Sequence, residues 1–108
     1  MSGSDSPAFN PGNPDSCEFD VEVNMASPDR AVTKTLKKED VLVIVLERDS
    51  KQYPTLLMKT KDGRTACGVS YMGTPRLIAC MEAGNEYTAT ITKLTEGGSG
   101  TAQVRNAR

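Results

Sequence analysis

Residues 74–94, TPRLIACMEAGNEYTATITKL, change their hydrophobic period at Gly84. Ahead of it, Leu77, Ile78 and Met81 recur at helical spacing behind Thr74, an N-cap hydroxyl, and Pro75, whose fixed φ suits a first helical turn. Gly84 and Asn85 supply a left-handed stop. Beyond them Tyr87, Ala89 and Ile91 alternate with Thr88, Thr90 and Thr92, the period of a strand with one buried face that ends near Leu94. A helix over 74–83 feeding straight into a strand restricts the chain to folds that accept one short helix within a run of strands. The competing reading is a hairpin turning at residues 72–75, which pairs residue 71 with 76 and sets Cys67 opposite Cys80.

The upstream sequence supplies the other strands. Cys17, Phe19, Val21, Val23 and Met25 alternate with Glu18, Asp20, Glu22 and Asn24, which predicts a strand with one buried and one wet, acidic face. Ser27, Pro28, Asp29 and Arg30 form a turn cluster, and regular structure is expected to resume near Leu36. The run VLVIVL at 41–46 is too short for a lone buried helix and rich in β-branched types, so it predicts a central strand covered on both faces. After a polar loop, two strands over 55–61 and 64–72 flank Asp62 and Gly63, a favoured pair for a two-residue hairpin. A Gly/Ser loop then leads to a last short strand with Ala102 and Val104 inward.

Three meandering strands, a helix and two further strands is the order of a small OB-like β-barrel, whose helix plugs one end between its third and fourth strands. Closure suits a chain of 108 residues because it removes open sheet edges. The strand from Cys17 to Met25 is then either a sixth barrel strand or an addition at the lip, and an α+β roll is the alternative architecture. Residues 1–16 carry Phe9 as their one large apolar group among Ser, Gly, Pro, Asn and Asp, and read as a flexible tail. That leaves a single domain over 17–106.

Histidine is absent, which removes the commonest general base, the Ser/His and Cys/His nucleophile pairs, and the commonest zinc ligand together. Cys17, Cys67 and Cys80 have no CxxC spacing, so no metal or cofactor is expected and the thiols are read as space-filling. Glu39, Asp40, Glu47 and Asp49 flank strands and read as solvated charge rather than as an acid and base pair. The chain is therefore expected to be non-enzymatic. No window reaches the roughly 18 apolar residues of a membrane span, and the opening MSGSDSPAFNPGNPDS lacks the parts of a signal peptide. The expected location is cytoplasmic, where Cys67 and Cys80 stay reduced.

Within residues 36–94, LKKEDVLVIVLERDSKQYPTLLMKTKDGRTACGVSYMGTPRLIACMEAGNEYTATITKL resembles the HIRAN domain family. The matching features are a short apolar strand, a loop with a tyrosine, an Asp-Gly hairpin, a small-Gly-Val strand, a short helix, a Gly and a final alternating strand. The resemblance implies an OB-like barrel associated with DNA processing that binds DNA, in some members the 3′ end of a single strand. It also implies structural roles for Asp62, Gly63, Gly68 and Val69, and a nucleotide contact for Tyr53. The family loop reads Asn-Pro-Tyr-Asp followed by an Asn, whereas here Gln52 precedes Tyr53 and Pro54 follows it.

Two functions follow from charge. Residues 1–30 hold six acids against Arg30 alone, while residues 31–108 hold twelve Lys and Arg against eight Asp and Glu. A mildly basic body suits nucleic acid, held by Lys59, Lys61 and Arg64 around the hairpin, by Lys93 and Arg105, and by Tyr53, Tyr71 and Arg76. Aromatic residues are only 5% of the chain, few for a protein that stacks on single strands. The alternative is a protein-interaction module, an adaptor, inhibitor or immunity-type protein, that engages its partner through Glu18, Asp20 and Glu22 or through the tail.

Overall fold

The alternation noted beyond Gly84 places Tyr87, Ala89 and Ile91 at 1% exposure or less, and the equivalent positions of five other strands meet them. The structure is a computed structural model and describes residues 17–48 and 54–107. The elements are β1 (Asp20–Ala26), α1 (Arg30–Thr33), β2 (Val41–Glu47), β3 (Thr55–Lys59), β4 (Thr65–Ser70), α2 (Thr74–Glu82), β5 (Tyr87–Leu94) and β6 (Gly100–Asn106). Each strand is antiparallel to both its neighbours, and the sheet closes in the order β1-β4-β3-β2-β5-β6. The small, mostly-β barrel is thus as expected, with β1 as a full sixth strand. Counted from the apolar run, α2 lies between the third and fourth barrel strands.

Register follows from burial. Val23 faces Ala102, Leu42 faces Ala89, Ile44 faces Met58 and Ala89 faces Val104, all of them inside the barrel. A one-residue slip would turn each strand's apolar set to water, and each buried Leu, Ile or Met is worth about 1.5–3 kcal/mol inside. The alanines let the interior accommodate Tyr87, Leu56 and Leu77 without a void-forming crowd of large side chains at one level.

Antiparallel closure gives the barrel two unlike ends. At one end lie the start of β1, the end of β4 and the start of β5, covered by α2, whose Leu77 is fully buried. At the other lie the end of β1, the starts of β2, β4 and β6, the β3–β4 hairpin and the β5–β6 loop, with α1 and residues 34–40 beside them. These are called below the α2 end and the α1 end.

Several local expectations need correction. Cys17 and Cys80 form a disulfide across 63 residues, so these two are not space-filling thiols, and neither is opposite Cys67. Cys67 is the free cysteine, buried and paired with Met58. The apolar run is covered on one face only: barrel curvature leaves Val41 and Val43 on the outer wall, 40% and 37% exposed. The hairpin has a three-residue loop, because Thr60 N–H donates to Arg64 O and only Gly63, at φ +93, takes the left-handed position. Lys61 therefore sits in the loop and not on the strand face of Lys59. The turn at 27–30 runs straight into α1, capped by the Asp29 carboxylate, which accepts from Ala31 N–H at 2.9 Å. The N-cap of α2 is Gly73 in place of Thr74, whose hydroxyl instead donates to Tyr71 O at 2.6 Å. The expected tail, residues 1–16, lies outside the described residues. Among the described residues no helix is long and apolar enough to cross a membrane.

Candidate functional site

The α1 end owes its shape to a short segment whose apolar residues are four apart. Val32 and Leu36 turn inward, Val32 buried and Leu36 partly so, and Lys34, Lys37 and Lys38 are left facing water. Backbone bonds hold this segment against the barrel. Asp29 N–H donates to Ala66 O at 2.8 Å and ties the start of α1 to β4, while Glu39 N–H donates to Ile91 O and Ile91 N–H to Asp40 O. Lys37 N–H donates to the Asp40 carboxylate at 3.0 Å and Asp40 N–H to Lys37 O at 3.1 Å, which fixes the turn over residues 37–40.

Facing it, the β5–β6 loop folds on itself through Thr95 N–H to Ser99 O and Gly98 N–H to Thr95 O, and its Gly98 packs on Thr33. Between these walls lies a cleft of about 630 Å³. Its charged lining is Arg30, Lys34, Lys37, Lys38 and Lys93 against one carboxylate, Glu96. None of the five cations forms an ion pair among the described residues. Unpaired cations on the wall of a concavity raise its potential and attract anions more strongly than the same charges spread on a convex face.

Lys93 was the one expected nucleic-acid contact found in this cleft. Lys59 and Lys61 stand on the same rim at the β3–β4 hairpin, also without an ion pair among the described residues. Arg64 is there too but engaged, its Nε 3.1 Å from Asp62 Oδ2. The Thr60 hydroxyl, and then Arg64, hold the Asp62 carboxyl below its ordinary value. All six described lysines thus occupy the α1 end.

The remaining expected contacts are at the opposite end and are committed there. Tyr71 packs edge-on to Phe19 with ring centroids 6.4 Å apart, and Arg76 lies 5.6 Å from the centre of the Phe19 ring. Arg105 Nε is 3.1 Å from Asp20 Oδ1, and Arg48 pairs with Glu82. Tyr87, fully buried, completes this cluster edge-on to Phe19 and donates its hydroxyl to Cys17 O. Tyr53 lies outside the described residues, between Glu47 and Thr55, which pair with each other at the α2 end.

The acidic candidates Glu18, Asp20 and Glu22 are exposed on and just before β1. Asp20 accepts from Gln103 and Arg105 on neighbouring β6, and these bonds, Gln103 first, keep its carboxyl low. Glu22 accepts from the Thr92 hydroxyl at 3.1 Å. Asp20 and Glu22 are therefore partly employed in holding the barrel wall together.

Sequence reasoning missed Arg30, Lys34, Lys37 and Lys38. The signal was present in RAVTKTLKK, where cations fill the spaces around a Val and a Leu four residues apart. The segment is too short to show a helical period, which leaves that signal weak. Among the described residues no three Cys, Asp or Glu side chains gather in a way that would hold a metal ion.

No family model matches the chain, and no curated protein matches it. Among solved structures, the crystal structure of a protein from Lactobacillus plantarum, a structural-genomics target, is similar with a TM-score of 0.66. The match covers 82% of this chain and 93% of that one at 12% identity, a likeness that shows the fold alone.

Proposed function

We propose that the chain is a non-enzymatic nucleic-acid-binding domain whose contact surface is the α1 end. The observation that carries this reading is the segregation of cations: the described lysines are all at that end and unpaired, whereas Arg48, Arg76 and Arg105 at the other end are engaged with Glu82, Phe19 and Asp20. A lysine without a carboxylate partner gives its full charge to a phosphate, and each phosphate neutralised releases counterion. The cleft is also walled by the loop between the last two strands, one of the loops by which OB-like barrels hold oligonucleotides. The resemblance to the HIRAN family points the same way, although its loop tyrosine, Tyr53, lies outside the described residues.

The second reading, a protein-interaction module working through Glu18, Asp20 and Glu22, draws on their exposure on one strand. The bonds from Gln103, Arg105 and Thr92 weigh against it, since a partner would have to compete with them. A cytoplasmic address also belongs here as a proposal, and the Cys17–Cys80 disulfide weighs towards an oxidising compartment instead.

Titration of a labelled oligonucleotide against charge variants separates the two functions. Replacing Lys34, Lys37 and Lys38 with Ala is expected to abolish most binding at 50 mM salt, and replacing Glu18, Asp20 and Glu22 with Lys to strengthen it or leave it unchanged. Undiminished binding by the lysine variant sinks the nucleic-acid reading.

A further inference from the structure

Among the described residues the lysines and the aromatic rings of this barrel are at opposite ends, and the arginines beside the rings, Arg48, Arg76 and Arg105, are engaged with Glu82, Phe19 and Asp20. Tyr71 and Tyr87 each pack edge-on against Phe19 at the α2 end, Tyr87 wholly buried, and among the described residues no aromatic side chain lines the cleft at the α1 end. Proteins that hold single strands need both on one track, a basic groove for the phosphates and rings on which the exposed bases stack. Here the barrel wall intervenes between them. Beyond its cations and the single carboxylate Glu96, the cleft offers Thr33, Leu36, Thr92, Leu94, Thr95 and Gly98, small or aliphatic groups suited to contact with a sugar-phosphate ribbon.

From this separation we infer that the α1 end binds double-helical nucleic acid through its phosphate backbone, without base stacking, an inference that rests on the nucleic-acid reading above. Where stacking contributes nothing, preference is set by charge density and counterion release. A duplex carries one charge per about 1.7 Å of axis and returns about 0.9 counterion per phosphate neutralised, against about 0.7 for a single strand. The duplex is therefore the favoured ligand. Sequence has little influence, because a cleft of ammonium groups contacts phosphates and leaves the base edges unread.

The test compares a 16-base-pair duplex with a single strand of the same length, both dye-labelled, at 50 and 200 mM NaCl, using the full chain. Tighter duplex binding is expected, with a log-log salt slope of about −4.5 if all five cleft cations engage, which is roughly a 500-fold loss across that salt range. Lys34→Ala, Lys37→Ala and Lys38→Ala together are expected to reduce the slope by about 2.7. In NMR spectra of the complex, signals of Lys34, Lys37, Lys38 and Lys93 should move while those of Phe19, Tyr71 and Tyr87 stay in place. Equal or tighter binding of the single strand, or movement of the ring signals, overturns the duplex assignment and leaves the nucleic-acid reading standing. Failure of either ligand to bind at 50 mM NaCl overturns both.

Discussion

Gly98 in the β5–β6 loop lies so close to Thr33 of α1 that a Cβ added there would sit 2.6 Å from the Thr33 hydroxyl oxygen. Its φ of +91 is also one that side-chain-bearing residues rarely adopt. Two independent penalties therefore meet at the joint between the walls of the cleft. Gly98→Ala is expected to destabilise the fold by about 2 kcal/mol, measured by urea denaturation, and to weaken oligonucleotide binding beyond that. Thr33→Ala in the same chain should relieve the steric part and leave the backbone part, so the double variant recovers only some of the loss.

The disulfide is the largest single stabilising device outside the core. Closing 63 residues restricts the unfolded chain by an amount worth about 4 kcal/mol. Reduction, or Cys17→Ser with Cys80→Ser, should lower the Tm by roughly 15 °C or more. Alkylation of the denatured protein should add one adduct before reduction, on Cys67, and three after it. Two or more adducts without reductant would show that Cys17 and Cys80 are not joined.

Burial pushes the Cys67 thiol up to about 11 from an ordinary value of 9.0. Since the folded value is the higher, its contribution to stability is complete below pH 9 and is lost as pH rises towards 11. Cys67→Ala should leave a shallower alkaline fall in that window, whatever constant cost its smaller side chain brings. Iodoacetamide at pH 8 should react with native Cys67 at least 100-fold more slowly than with the unfolded chain.

On the acid side the sign is opposite. The carboxyls of Asp20 and Asp62 are held low by Gln103 and Arg105 and by Thr60 and Arg64 respectively. Their contribution is present above about pH 3.8 and disappears as pH falls through the lower folded values. Both side chains are exposed, so the effect is small, and Asp20→Asn with Asp62→Asn should lower stability slightly at pH 7 and flatten the acid limb of the profile, meeting the unaltered chain at the lowest pH. A loss that is as large at the lowest pH as at pH 7 would assign these residues another role.

The fold was legible wherever one side of an element is wet. The alternation of residues 87–92 and 17–25, and the proline and glycine around residues 74–84, marked elements and faces that the structure retains. The run at 41–46 failed for the complementary reason: six apolar residues carry no period, so nothing distinguishes the inward face from the outer one that holds Val41 and Val43. Local chemistry also hid the disulfide, because the Cα atoms of Cys17 and Cys80 come within 5.7 Å only when the barrel closes and α2 settles over its end.

The cleft was half legible. Lys59, Lys61 and Lys93 are visible as cations beside strands, but their grouping with Lys34 and Lys38 depends on Glu39 and Asp40 pairing with Ile91, a contact across more than fifty residues. Tyr71, Arg76 and Arg105 looked equally suitable in the sequence. What removes them is antiparallel geometry, which sends successive strand ends to opposite poles.

The same geometry decides where this domain can be tethered. Asn106, at the close of β6, donates its side-chain amide to Cys17 O at 3.0 Å, so the chain enters and leaves the barrel at a single point on the pole away from the lysines. A solubility tag, a surface linker or a neighbouring domain joined directly at Cys17 or Asn106 would start from that pole, at the opposite end of the barrel from the lysines.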